Sequence, residues 1–213
     1  MKSFIVPLVF LLCLASPVFA QQTNLVFQED TPITWLGLDF SQVKFIGTAT
    51  QWKDAGDVTN TDMKNKYFPS WNDLFVTEKT KYNVADAVHR MEVQYATDVT
   101  DRMNEKITDG DFFTDDNMSY QLLTEDKISS LVKKYNFDRK KGIGLVFFVE
   151  GMSKNREQAS MWATFVDMGS KKVLLTHRIT GKAGGFGFRN YWAKAFFNGL
   201  KQLKSDYKGL SKT

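Results

Sequence analysis

Two histidines, a cluster of aspartates, a glycine-rich loop and five tryptophans are the residues with which this chain could do chemistry. His89 and His177 lie in different segments, and neither has a second His or Glu at the i, i+4 spacing that puts two zinc ligands on one helix face. They read as structural. His89 ends a short helix, where a cation suits the helix dipole, and His177 sits in a strand. Asp109, Asp111, Asp115, Asp116 and Asn117 supply oxygens suited to calcium. Their spacing departs from Asp-x-Asp-x-Asp-Gly with a distal Glu, so they read as a solvated loop. Asn117-Met118-Ser119 matches the glycosylation acceptor pattern, which matters only in a eukaryotic secretory pathway. Ser130-x-x-Lys133 falls on a helix with its lysine outward, and no Gly-x-Ser-x-Gly elbow occurs. Carboxylates paired for glycosidic chemistry would have to come from distant elements.

Gly184-Gly185-Phe186-Gly187-Phe188 resembles a phosphate loop in its glycines but lacks the terminal Gly-Lys-Ser/Thr. It reads as a strand-to-helix connection. The sharper alternative is an anion cradle on the following helix, with Arg189 beside it. Of the tryptophans, Trp162 and Trp192 fall on apolar stripes, whereas Trp52 lies in a polar stretch. Trp52, Trp71, Phe186, Phe188 and Arg189 form the candidate interaction surface. No catalytic set, metal site or cofactor site is expected.

The elements that position these residues follow from periodicity. Leu36–Thr50 and Glu92–Asn104 alternate with the period of two of a strand. Ser70 is expected to cap a helix carrying Trp71, Leu74 and Phe75, and a second short helix follows Asn83. Thr124-Glu125-Asp126 opens a helix with acids in its first turn. Gly142–Val149 is a nearly continuous apolar run, the signature of a strand covered on both faces. Gln158–Asp167 and Val173–Thr180, joined by a tight turn, are expected to form an antiparallel hairpin. Asn190–Ser205 is the last helix. The order predicts an α/β sandwich: a mixed sheet with an antiparallel C-terminal hairpin and helices packed on it.

The first twenty residues stand apart. Lys2 precedes the apolar run Phe4–Leu14, and Ser16-Pro17-Val18-Phe19-Ala20 ends in small residues. This is the pattern of a secretory signal peptide cut after Ala20. Removal takes away the only cysteine, Cys13, and with it any disulfide or thiolate chemistry. It also lowers the formal net charge of +4 by one. So small an excess of cations, scattered among acids, argues against nucleic acid. Residues 21–213 read as one domain, with 21–31 a leader and 206–213 a frayed basic tail. No segment after the signal is apolar for long enough to span a membrane.

The run Leu145–Glu150, the strand ending Phe165-Val166-Asp167, the turn into Lys172-Val173-Leu174 and the closing Tyr191-Trp192 helix carry a resemblance. Over roughly residues 142–205 the pattern resembles the small α/β domains of bacterial envelope proteins. These include curli-secretion lipoproteins, activator lipoproteins of penicillin-binding proteins and the N-terminal domain of the Tol translocation protein. The resemblance implies a periplasmic or secreted accessory protein that binds an envelope component and is not an enzyme. The alternatives are a small-ligand or glycan binder using Trp52, Trp71 and the Gly184–Phe188 loop, and a hydrolase of unrecognised type.

Overall fold

The computed structural model describes residues 24–47, 58–108 and 112–212. The expected signal peptide, Trp52, Asp109 and Asp111 lie outside these. The chain is α/β. Its strands are β1 (Ile33–Asp39), β2 (Lys44–Ile46), β3 (Gln94–Tyr95), β4 (Phe113–Thr114), β5 (Ile143–Ser153), β6 (Gln158–Asp167) and β7 (Lys172–Lys182). Besides a helical turn at Asn60–Asp62, its helices include α1 (Phe68–Thr77), α2 (Val84–Ala87), α3 (Asp98–Glu105), α4 (Glu125–Val132) and α5 (Phe188–Leu210). A π-helical turn, Met63–Tyr67, leads into α1, and a 3-10 turn, Asn117–Gln121, precedes α4.

The sheet is built around β5, which is buried along its whole length, as its apolar run requires. β1 and β2 lie end to end along one edge of β5, both parallel to it. Ile33 sits opposite Ile143, Asp39 opposite Phe148, and Lys44 opposite Gly151. β3 adds to β1 and β4 to β2, again in parallel. The other edge of β5 pairs antiparallel with β6, and β6 pairs antiparallel with β7. One side of the sheet is therefore wholly parallel.

One face of the sheet packs Trp35, Leu38 and Phe147 against Phe68, Trp71 and Phe75 of α1 and Trp192 and Phe196 of α5. The other packs Leu36, Val146 and Phe148 against Val99 of α3, Ile128 and Leu131 of α4, and Tyr135. The first face is dominated by rings. Phe40 stacks on Phe68 with centroids 4.3 Å apart, and Trp35 stacks on Phe75 at 4.8 Å.

Several elements differ from the expectation. Leu36–Thr50 is broken at 40–43, where the Asp39 carboxylate accepts the Ser41 amide at 2.7 Å and the Val43 amide returns to the Phe40 carbonyl. Of the strand expected over Glu92–Asn104, only Gln94–Tyr95 pairs, and from Asp98 the segment is α3. The helix wins because Val99, Thr100 and Asn104 then share one buried face, and Asp98 and Asp101 meet the positive end of the helix dipole. Ser70 caps nothing. It sits inside α1, its hydroxyl donating to the Tyr67 carbonyl, and Pro69 occupies the first turn.

Both ends of the domain are tied down. In the supposed leader Val26 is buried, and its carbonyl accepts from Arg90 Nη2 at 2.7 Å and from the Tyr207 hydroxyl. In the supposed frayed tail α5 continues to Leu210, because the buried Tyr207 packs on Phe27, Phe165 and His89.

Gly37 makes the junction of β1 with α1 and α3 possible. Its φ is +109°, and a Cβ there would lie 2.3 Å from Thr100 Oγ1 and 2.8 Å from Asn72 Oδ1. Gly37→Ala should therefore lose about 2–4 kcal/mol of stability, from backbone strain and displaced hydrogen bonds. Gly184→Ala, where a Cβ meets nothing within 4 Å, should stay within about 0.5 kcal/mol of the native chain. Urea unfolding of both variants checks the contrast.

Candidate functional site

β3 covers only the first part of the outer edge of β1, and among the described residues no strand pairs with the backbone from Leu36 to Phe40 on that side. Side chains take the strand's place. Thr100 Oγ1 donates to the Leu36 carbonyl at 2.6 Å. Asn72 of α1 accepts the Leu38 amide on Oδ1 at 2.6 Å and donates Nδ2 to the Leu38 carbonyl at 3.1 Å. Asn104 of α3 accepts the Phe40 amide at 2.8 Å and donates to the same Leu38 carbonyl at 2.9 Å. A carboxamide carries the same donor and acceptor as a peptide group, so two of them can continue a β ladder.

These amides floor a cleft of about 780 Å³, which runs between the π-helical turn with α1 and the helix α3. The π-helical turn closes with Phe68 N–H to the Met63 carbonyl and buries Met63 and Tyr67. Lys64 and Lys66 between them stand on the rim of the cleft. Turns of this kind recur at functional sites. Asp73, Asp101 and Glu105 add acids to its walls. Burial raises the Asp101 pKa, and Glu105 and Asp98 push it the same way. The Asn72 amide, 3.3 Å from Asp101 Oδ1, opposes the rise. The cleft thus presents both signs of charge over a polar floor. Both donors of Asn72 are already committed, to the Leu38 carbonyl and to Asp101.

Two buried acids lie on the opposite face of the sheet. Asp39 is 1% exposed, and its carboxylate accepts from the Tyr135 hydroxyl as well as from the Ser41 amide. Burial raises the Asp39 pKa against these hydrogen bonds. Burial, and then the Asp39 charge, hold Tyr135 well above its ordinary value. Glu150, on the bulge of β5, accepts from Ser160 Oγ at 2.7 Å, Arg178 Nε at 2.9 Å and the Leu123 amide at 3.0 Å. Arg178 also donates to the Leu123 carbonyl and lies over the Trp162 ring. This network fastens the segment entering α4 to β5 and β7.

The residues singled out from the sequence do not converge. Trp71 is fully buried, its Nε1 donating to the Arg189 carbonyl at 2.9 Å. Its ring lies against Phe40, Tyr67, Phe188 and Phe196, so no face is open to a sugar. Phe188 is buried beside it, whereas Phe186 is 96% exposed. Arg189 reaches the Ser70 carbonyl and Asn190 Oδ1, both at 3.4 Å. In the glycine loop the Gly184 amide is already given to the Tyr191 carbonyl. His89 lies against Tyr207, with Nε2 3.3 Å from the Lys204 carbonyl, and His177 pairs with Asp206 at 3.0 Å. Asp116 caps the 3-10 turn. Among the described residues no group of three or more His, Cys, Asp or Glu is placed to hold a metal, and no helix is long and apolar enough to cross a membrane.

Sequence reasoning missed Asn72, Thr100, Asn104, Asp39 and Glu150. Glu150 left one signal, an acid closing an apolar run of strand residues. Asn72 left another, a polar residue on the apolar face of its helix. No family model, curated protein or solved structure matches this chain.

The Asp39–Tyr135 pair makes stability pH-dependent. The Asp39 pKa is higher folded than unfolded, so its contribution is full below the unfolded value near about 4 and is lost as pH rises through the folded value. Asp39→Asn should flatten that decline. Tyr135→Phe removes a hydrogen bond that lowers the Asp39 pKa and should move the decline to higher pH. It should also reduce the further loss above about pH 10, where tyrosines ionise in the unfolded chain, leaving the part owed to the other raised tyrosines such as Tyr120 and Tyr207. Unfolding free energies measured across pH for the three chains check the signs.

Proposed function

We propose that this chain is an exported accessory protein of the bacterial envelope, which binds a protein partner through the cleft between α1 and α3. The signal-peptide pattern and the resemblance over 142–205 support the compartment. The cleft itself carries the binding reading. It is open, has Lys64 and Lys66 facing Asp73, Asp101 and Glu105, and has a floor whose amides are occupied in holding β1. Such a surface offers charge complementarity to a polar segment bearing both signs. The two buried acids, Asp39 and Glu150, serve internal hydrogen bonds on the other face of the sheet.

A second reading, a small-ligand binder, draws on one observation. A cleft of about 780 Å³ falls within the range of small-molecule sites. Trp71 does not contribute to it as a stacking platform, since its ring is buried.

The test is a photo-crosslinker placed at Val76 or Ser70, on the cleft, in the full-length chain expressed in its native host. The expected outcome is one stoichiometric envelope protein in the crosslinked fraction, and a mature N-terminus at Gln21. Lys66→Glu with Asp101→Lys should reduce that crosslink about tenfold. A soluble monomer with no crosslinked partner would overturn the reading. A saturable rise in melting temperature with a small ligand, lost in the same double variant, would establish the second one.

A further inference from the structure

α5 exposes a face that is basic along its length. Between Ala183 and Ser205 the chain has no acid, and its cations are Arg189, Lys194, Lys201 and Lys204. Asn190, Lys194, Phe197, Lys201, Lys204 and Lys208 recur every three or four residues. They therefore share one face of the helix, opposite the stripe that buries Trp192, Phe196, Leu200 and Leu203. The four lysines of that face are exposed. Lys204 pairs with Asp86 of α2 at 2.7 Å. Lys201 Nζ lies over the Phe197 ring at 5.6 Å, and Arg189 donates to the Ser70 carbonyl and to Asn190 Oδ1, both neutral. Those contacts hold the two side chains without cancelling their charge. Among the described residues no carboxylate forms an ion pair with Arg189, Lys194, Lys201 or Lys208.

At the N-terminal end of this face stands Phe186, 96% exposed. The backbone holds it out. Gly185 has a φ of +107° and Gly187 of +78°, conformations open to glycine, and the Gly184 amide is fixed to the Tyr191 carbonyl. A hollow of about 420 Å³, lined by Gly184, Gly185, Arg189, Lys194 and Phe197, sets the loop directly beside the basic face. Glu78 on the far wall of the hollow is paired with Lys81 at 3.3 Å, so the two add no net charge.

A projecting ring selects the occupant. A protein would have to offer it a matching pocket, whereas the interface of a bilayer takes an aromatic ring without one. The cations are spread and do not converge: Lys194 and Lys208 stand about 21 Å apart along the helix, at 1.5 Å per residue. Charge spread along a convex rod meets a plane of anionic headgroups over its whole length. We infer that the exposed face of α5, with the Phe186 loop, is a docking surface for an anionic lipid bilayer, lying against the headgroups with Phe186 inserted. The inference goes beyond the cleft reading and is independent of it, since no residue lining the α1–α3 cleft belongs to α5 or its loop.

The test is co-sedimentation of the chain, as its native host processes it, with vesicles of neutral phosphatidylcholine alone or with about one third phosphatidylglycerol. Binding is expected to the anionic vesicles only, and to be lost as salt rises to about 0.5 M. Lys194→Glu with Lys201→Glu should lower the partition coefficient at least about tenfold, and Phe186→Ala about fivefold. Glutamine at the same two lysines decides the matter if the charge reversal does not fold. Lys133→Glu with Lys134→Glu changes the net charge equally, at exposed positions just after α4, and should leave binding within about twofold. The cleft variant Lys66→Glu with Asp101→Lys should bind vesicles normally, which separates failure of this inference from failure of the cleft reading. Equal binding to both kinds of vesicle, binding to neither, or an equal loss in the Lys133–Lys134 variant would overturn the proposal. So would capture of polyglutamate as tight as that of the vesicles and indifferent to Phe186→Ala, which would assign the face to an acidic polymer.

Discussion

The outer edge of β1 is closed by side chains, and most of the molecule is arranged around that substitution. A strand buried on both faces cannot leave amides and carbonyls unpaired, because each orphaned group costs about 1–3 kcal/mol. Here β3 ends after two residues, and Thr100, Asn72 and Asn104 take over. Their reach fixes where α1 and α3 stand, how closely they approach and where the cleft between them opens. Gly37 is part of the same constraint, since a Cβ on it would occupy the space of the Asn72 and Thr100 oxygens. The cleft is thus a consequence of sealing a strand edge with helices, and its polar floor is the seal.

The opposite face follows a second rule: a buried acid must be partnered. Asp39 ends β1 and turns the chain toward β2 while holding Tyr135. Glu150 sits where β5 bulges and gathers Ser160, Arg178 and the Leu123 amide. These two acids tie the segments flanking α4 to the sheet from either end. They give that layer its register, a task that apolar packing alone performs less selectively. Their hydrogen bonds are internal, and the α1–α3 cleft opens on the other face of the sheet.

On the proposed reading as an accessory protein, the cleft, with side-chain charge of both signs, would select a partner by charge pattern.

The sequence by itself determined the elements whose signal is local. The apolar run 143–149 announced a central strand, Thr124-Glu125-Asp126 announced the start of α4, and the stripe through Trp192, Phe196 and Leu203 announced α5. Composition was enough to make the chain a folded protein, and the order of its elements to make it α/β. What only the tertiary structure decided depends on partners distant in the chain. Residues 92–104 alternate well enough for a strand, yet from Asp98 they become a helix because Thr100 and Asn104 are needed at the edge of β1, 64 residues away. Trp71 and Phe188 read as surface candidates because nothing local shows that α1 and α5 meet over Phe40. Residues 21–31 and 206–213 read as loose ends because each end is held by the other, through the hydroxyl of Tyr207 on the carbonyl of Val26. Asn72 and Asn104 carried no motif at all. A carboxamide acquires its role from the unpaired peptide groups it finds, and those appear only once the sheet is assembled.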